Sequence, residues 1–229
     1  MNARRLATKI DHTLLRPEIT WREIEQLCVE AQAYQFAAVC VNPCWVALAE
    51  RMLRESPIAV CTVVGFPLGA TTPTVKAREA SVAVEHGARE IDMVLNVGRL
   101  RGGELGAVGD EIRIVRRALG AGLTLKVILE TALLTDEEKR TAARLAVDAG
   151  ADYVKTSTGM NVAGGATVTD VRLLVEAVGG RAKVKAAGGI RNTAIALAML
   201  EAGADRIGTS AGVAIVDGLS AELSAALAA

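Results

Sequence analysis

Asp148-Ala149-Gly150-Ala151-Asp152-Tyr153-Val154-Lys155-Thr156-Ser157-Thr158-Gly159 is the stretch on which the fold reading turns. A helix-like segment ends at a glycine, and a short β-like run follows in which Lys155 stands between β-branched Val154 and Thr156. The run closes in small hydroxyl residues and a glycine. Lysine is rarely enclosed unless it is paired. A solvated lysine on an edge strand would read the same over these few residues. A buried strand that delivers its lysine to a pocket demands more, namely further strands of the same kind with helices between them.

The rest of the chain supplies them. Working outward, strands are predicted at Lys9–Leu15, Ala37–Val41, Ala59–Val64, Glu90–Asn96 and Leu125–Glu130 before the lysine strand, and at Ala182–Ala187 and Arg206–Ser210 after it. Helical patterns separate them: one opened by the capping box Thr20-Trp21-Arg22-Glu23, then Trp45–Glu55, Thr74–Glu85, Asp110–Leu119, Asp136–Ala149, Thr169–Val178, Thr193–Ala202 and roughly Ser220–Leu227. Eight strands, each followed by a helix, with short connections and no Pro/Ser-rich linker, predict an α/β fold of the (β/α)₈ TIM-barrel type. Barrels of about 200 to 250 residues are commonly one domain, so residues 1–229 are expected to form one catalytic domain. Glu85-His-Gly-Ala-Arg-Glu90, Asp148-Ala-Gly-Ala-Asp152 and Glu201-Ala-Gly-Ala-Asp205 echo one another, each ending a helix at glycine before a strand. Helix capping alone accounts for that echo.

Composition narrows the function. Hydrophobic residues make up 51% of the chain but aromatics only 3%, so the core is built from Ala, Val, Leu and Ile. The 26 basic and 26 acidic residues cancel, leaving no field to attract nucleic acid or anionic lipid. Cys28, Cys40, Cys44 and Cys61 lack paired CxxC spacing and read as reduced thiols of a cytoplasmic protein. There is no apolar run of about 18 residues and no signal-peptide pattern near Met1. His12 and His86 are the only histidines, too few nitrogen ligands for a zinc-dependent lyase. No GxGxxG opens a helix after a strand. Neither metal nor organic cofactor is expected.

In barrels of this type chemistry sits at the C-terminal ends of the strands, and side chains alternate between interior and helix layer. If Lys155 faces inward, Tyr153 and Ser157 share its direction. On the next strand Lys183 and Lys185 share one parity, with Lys183 deeper by roughly 6 to 7 Å. Asp11, Asp92 and Lys126 are further charges in apolar strands. Several charges in one barrel mouth cost too much to be passive, whereas two lysines beside a carboxylate suit imine chemistry. A neutral amine attacks a carbonyl, and the resulting iminium draws electrons so that an adjacent C–C bond can break. Desolvation and a second ammonium keep such an amine neutral, and Asp92 would hold the second lysine or a water for proton transfer. Gly188-Gly189 and Gly208-Thr209-Ser210 lie where this fold recurrently binds phosphate, after strands seven and eight.

Ile10-Asp-His-Thr-Leu-Leu15, Ala38-Val-Cys-Val41, Val64-Gly-Phe-Pro-Leu-Gly-Ala70, Glu90-Ile-Asp-Met-Val94, Leu125-Lys-Val-Ile-Leu-Glu-Thr131, Val154-Lys-Thr-Ser-Thr-Gly159, Val184-Lys-Ala-Ala-Gly-Gly-Ile-Arg191 and Ile207-Gly-Thr-Ser210 together resemble the deoxyribose-phosphate aldolases, class I aldolases on a (β/α)₈ barrel. The resemblance runs nearly end to end. It implies Lys155 as Schiff-base lysine, Lys185 as the lysine that perturbs it and Asp92 as proton-relay carboxylate. It implies substrate or phosphate contacts from Gly159, Gly188, Gly189, Gly208 and Ser210, with Asp11, Thr13, Cys40 and Lys126 completing the binding set. The reaction implied is cofactor-free, reversible cleavage of 2-deoxy-D-ribose 5-phosphate to D-glyceraldehyde 3-phosphate and acetaldehyde, by a homo-oligomer, dimer or tetramer. A Schiff-base aldolase for another phosphosugar and a non-catalytic sugar-phosphate-binding barrel are the alternatives. Two departures stand out: Met160-Asn161 where many relatives carry Phe-Gly or a lysine near the phosphate, and Ala225-Ala-Leu-Ala-Ala229 where many end in a tyrosine that assists proton transfer. Proton transfer here is therefore expected to rely on Asp92, Lys185 and water.

Overall fold

A computed structural model describes residues 1–228, with side-chain surroundings through residue 221. Eight parallel strands, β1 (Ile10–Leu14), β2 (Ala38–Val41), β3 (Ala59–Val64), β4 (Glu90–Val94), β5 (Thr124–Ile128), β6 (Tyr153–Lys155), β7 (Lys183–Ala187) and β8 (Arg206–Thr209), close into a barrel in sequence order. Around them lie α1 (Ala3–Ala7), α2 (Trp21–Tyr34), α3 (Val46–Leu53), α4 (Pro73–Glu85), α5 (Val97–Arg101), α6 (Leu105–Leu119), α7 (Asp136–Asp148), α8 (Val168–Val178), α9 (Thr193–Glu201) and α10 (Gly212–Ala228). The expected (β/α)₈ fold is the observed one.

Strand alternation sorts the core into two. Outward-facing Val39, Val60, Ile91, Val127, Val154, Val184 and Ile207 join the helices in one large apolar cluster. The inward face on β2 and β3 is a small separate cluster of Ala38, Cys40, Cys61 and Val63. The rest of the interior carries charge.

Local chemistry sets the element ends. The Thr20/Glu23 capping box closes with Thr20 N–H donating to Glu23 Oε2 at 2.8 Å, and Thr135/Glu138 repeats it at 2.7 Å. The three echoed glycines, Gly87, Gly150 and Gly203, all take positive φ (106°, 93° and 106°) after α4, α7 and α9, so the echo is capping geometry.

Several expected boundaries move. The run from Tyr153 leaves the sheet after Lys155 because the Thr156 hydroxyl occupies both backbone groups of Ala187, donating to its O and accepting from its N–H at 3.1 Å each. Glu90–Asn96 stops at Val94, since Asn96 caps α5 by accepting from Arg99 N–H. The helix expected from Trp45 begins as a 3₁₀ turn at Pro43–Trp45. The helix expected at Asp110 starts at Leu105 despite Gly106 and Gly109, and the last one starts at Gly212, well before Ser220. The expectation about the terminal tyrosine falls on residues 225–229, whose side chains lie outside the described ones. No helix among the described residues is long and apolar enough to cross a membrane.

Candidate active site

Register places the charges in one layer. Asp92 on β4 pairs with Lys126 on β5, Lys155 on β6 with Lys185 on β7, and Lys185 with Arg206 on β8. Asp11 enters from β1 beside Gly208 of β8. Asp11, Asp92, Lys126 and Lys185 are fully buried, and Lys155 nearly so. Isolated charges would be prohibitively costly there, and each has partners.

Asp92 is the hub. Its Oδ2 accepts from Lys155 Nζ at 2.7 Å and Lys185 Nζ at 2.8 Å, so the two amines lie no farther apart than the sum of those distances. Its Oδ1 accepts from Lys126 Nζ at 2.8 Å and from the Cys61 thiol at 3.2 Å. Lys185 also donates to Asp11 Oδ2. Arg206 reaches Asp11 Oδ1 at 2.5 Å, and Lys126 reaches Glu90 Oε2 at 2.5 Å.

Burial is the largest influence on Asp11, Asp92, Lys126, Lys185 and Arg206, and for each it opposes the charge. Around Asp92 it is outweighed by Lys126, Lys155 and Lys185, which hold the carboxyl well below the ordinary range. Asp11 is lowered likewise, burial giving way to Lys185, Lys126 and Arg206. Lys185 is raised because Asp11 and Asp92 overcome burial; Lys126 is raised chiefly by Asp92, and Arg206 by Asp11 and Glu90. Burial pushes the Cys61 thiol up, so it stays a neutral donor. Three carboxylates, Asp11, Glu90 and Asp92, thus meet four basic groups, Lys126, Lys155, Lys185 and Arg206. One positive charge is in surplus when all are ionised.

Above this layer opens a cavity of about 270 Å³ at the C-terminal ends of the strands. Of the seven charged groups only Lys155 lines it, with Thr13, Gly159, Gly188, Gly189, Gly208 and Ser210 from the expected binding set. Lys185, Asp92, Asp11, Lys126 and Cys40 lie beneath the floor, enclosed and off the lining. Cys40 sits in the apolar interior cluster, its thiol within 4.8 Å of an Asp92 oxygen. Lys183, of the same parity as Lys185, is exposed at the strand's other end, its Nζ 5.5 Å from the centre of the Tyr153 ring.

The glycine-rich rim is tightly built. Gly188 has φ +91°, and a Cβ there would stand 3.0 Å from Gly165 Cα and 3.4 Å from Gly159 Cα, so glycine at 188 lets the loops after β6 and β7 approach this closely. A Cβ at Gly208 would stand 3.0 Å from Lys185 Cε. Met160 also lines the cavity, as an apolar side chain.

Sequence reasoning missed Arg206 and Glu90 in the charged layer and Arg16 and Arg191 on the lining. Glu90 was within reach of it, sharing the parity of Asp92, whereas Arg206 emerges only from its pairing with Lys185 in the sheet. Cys40, Cys61 and Asp92, and likewise Asp11, Cys61 and Glu90, bring possible metal-ligand atoms within 4.8 Å of one another. The Asp92 and Asp11 oxygens already accept from ammonium or guanidinium groups, which a cation would have to displace.

A parallel barrel with a lysine-carboxylate layer under a glycine-rimmed cavity is a scaffold for carbonyl chemistry, and comparison with known proteins agrees. A family model described as DeoC/LacD family aldolase matches residues 5–218, and the chain belongs to that family. It is 56% identical over 219 residues to deoxyribose-phosphate aldolase 1 of Bacillus licheniformis, covering 96% of this chain and 98% of the relative. It is 55% identical over 222 residues to the deoxyribose-phosphate aldolase of Halalkalibacterium halodurans, covering 96% and 98%. The tetrameric deoxyribose phosphate aldolase structure from Aeropyrum pernix superposes with a TM-score of 0.89 at 34% identity, covering 96% of this chain and 93% of that one.

Proposed function

We propose that the protein is a class I aldolase that reversibly cleaves 2-deoxy-D-ribose 5-phosphate to D-glyceraldehyde 3-phosphate and acetaldehyde, with Lys155 as the covalent nucleophile. The observation that carries the assignment is that Lys155 alone joins the charged layer to the cavity while sharing Asp92 Oδ2 with Lys185. The surplus charge of the layer supports it: with Lys126, Lys185 and Arg206 held as cations against three carboxylates, loss of a proton at Lys155 balances the set.

The neutral Lys155 amine adds to the C1 aldehyde of the open-chain sugar and loses water to give an iminium. That cation stands where the ammonium stood, so Asp92 holds it at no new cost in burial. The C3 hydroxyl gives up its proton and the C2–C3 bond breaks, its electrons passing to the iminium as an enamine while glyceraldehyde 3-phosphate leaves. Protonation at C2 and hydrolysis of the imine then free acetaldehyde and Lys155. We assign the passage of these protons to Asp92, Lys185 and water. The phosphate is assigned to backbone N–H groups at Gly188-Gly189 and Gly208-Thr209 and to the Ser210 hydroxyl, just ahead of the N-terminus of α10. Arg16 and Arg191 add positive charge at the same rim.

Borohydride reduction in the presence of substrate, followed by peptide mass analysis, is expected to place the adduct on Lys155, and product analysis to show acetaldehyde. An adduct on Lys126 or Lys185 overturns the nucleophile, and a product other than acetaldehyde overturns the substrate. We further propose a homo-oligomer in the cytoplasm. The tetrameric Aeropyrum pernix relative and four free cysteines support these two readings, and light scattering tests the first.

A further inference from the structure

Glu130 has no part in the chemistry above, yet its backbone and side chain are both unusual. Among the described residues two non-glycines lie in the left-handed region, Gln35 at φ 56° and Glu130 at φ 58°. Gln35 is an ordinary helix C-cap at the end of α2. Glu130 ends no helix. It follows β5, is 3% exposed, and holds a conformation that a non-glycine residue adopts only against a steric cost.

The conformation turns its carboxylate sideways into the next loop. Leu129 N–H donates to Lys155 O and Thr131 N–H to Thr156 O, both at 2.9 Å, so the backbone on either side of Glu130 stays in step with the nucleophile strand. Between those two bonds, Glu130 Oε1 accepts from Thr158 N–H at 3.2 Å and Oε2 accepts from the Thr158 hydroxyl at 2.5 Å. The same hydroxyl oxygen accepts from Met160 N–H at 3.0 Å. Thr158, Gly159 and Met160 form one wall of the cavity. That wall bears on the phosphate rim, where Gly159 packs against Gly188 and Ala166 N–H donates to Gly188 O at 3.0 Å.

We infer that Glu130 is a positioning residue that fixes the Thr158–Gly159–Met160 wall against Gly188-Gly189 and thereby sets the affinity for the phosphorylated end of the substrate. It touches no reacting atom and acts through Thr158. The strained backbone is retained because only from it does the carboxylate meet both donors of Thr158. This inference rests on the phosphosugar reading above.

The test compares 2-deoxyribose 5-phosphate with 2-deoxyribose in the full-length wild type, Glu130→Gln and Glu130→Gly. Glutamine keeps the shape but replaces one acceptor by a donor facing Thr158. Glycine accepts the left-handed backbone without strain and removes the carboxylate, so it remains informative if the glutamine variant folds poorly. Both variants are expected to lower the preference for the phosphorylated sugar, as a ratio of kcat/KM values, by roughly fivefold or more, mainly through KM. Acetaldehyde, which carries no phosphate, should still be trapped by borohydride on Lys155 in both. A parallel fall for the two sugars, or a glycine variant with the wild-type preference, overturns the inference. A wild type that shows no preference for the phosphorylated sugar breaks the phosphosugar reading itself, and this inference with it.

Discussion

Lys76 and Lys185 are both fully enclosed, and the contrast between them shows what separates a buried charge that holds structure from one that serves a reaction. Lys76 extends from α4 between the end of β4 and α6, where its Nζ donates to Val94 O at 2.8 Å and to Glu111 Oε2 at 2.9 Å. Burial outweighs Glu111 and the further carboxylate of Glu79, and the Lys76 pKa is lowered. Lys185 is in direct contact with two carboxylates, Asp11 and Asp92, which outweigh its burial and raise its pKa. Lys76 and Glu111 are matched one to one away from the cavity, while the barrel layer carries a surplus charge and opens through Lys155. Burial alone marks neither as functional. Surplus and access together mark the second.

The largest effects should split along that line. Lys155→Met is expected to lower kcat by on the order of 10⁴-fold or more, with the melting temperature held or raised, because it removes the surplus charge and leaves the remaining cations matched. Lys76→Met should do the opposite. It leaves Glu111 buried without its cation, at a cost of about 3–5 kcal/mol of stability, while the molecules that remain folded keep turning over. The double variant Lys76→Met/Glu111→Leu should recover most of the loss. Thermal unfolding and active-site-normalised rates decide it, and the distinction fails if Lys76→Met abolishes turnover without destabilising the fold.

Lys185→Leu comes next. Removing an ammonium beside the nucleophile favours the nucleophile's protonated form, so the acid limb of the pH–rate profile should move to higher pH. A displacement of about two units corresponds to a loss near neutrality of roughly 10²-fold. Stability should respond differently. A lysine whose folded pKa is raised contributes stability that is fully present below its unfolded value of about 10.4 and is lost only as pH rises beyond that toward the folded value. The stability cost of Lys185→Leu should therefore be level across neutral pH while the rate changes steeply. Lys183→Leu should move neither much, since that lysine is exposed at the far end of β7. A Lys183→Leu variant that lost activity while Lys185→Leu kept it would overturn the assignment.

The strands were legible because alternating apolar runs bounded by Gly-capped helices leave few other readings, and Lys155, Lys185 and Asp92 were legible because a charge in such a run is conspicuous. What escaped lies in pairings that one-dimensional spacing does not carry. Arg206 opens its strand, where a basic residue reads as a solvated end, and only the β7–β8 register shows it facing Asp11. Glu130 stands at the end of an apolar strand, but its role depends on a backbone angle no residue type announces. Lys126, Asp11 and Cys40 lie on the expected inner face, beneath the residues that line the cavity. Parity gives the face, whereas the height of the cavity floor depends on how far each strand is staggered against its neighbours.

The smallest expected effects concern two rim glycines that look equivalent in sequence. A methyl group at Gly189 would meet nothing within 4 Å, so the penalty there is the backbone's alone, from φ +79°, about 1–2 kcal/mol for a non-glycine residue. If Gly189 presents its N–H to phosphate, Gly189→Ala should raise KM for 2-deoxyribose 5-phosphate by up to roughly tenfold through local strain and leave 2-deoxyribose turnover nearly unchanged. Gly208 differs because its methyl would press on Lys185 Cε and Ala187 Cβ, each 3.0 Å away. Gly208→Ala should therefore displace the Lys185 ammonium from Asp92 and slow both sugars alike, with the pH–rate profile moving in the same direction as in Lys185→Leu. Steady-state kinetics on both sugars separates the cases: a Gly189→Ala variant that slowed them equally would reduce Gly189 to a turn residue, and a Gly208→Ala variant selective for the phosphorylated sugar would limit Gly208 to its phosphate contact and remove it from the support of Lys185.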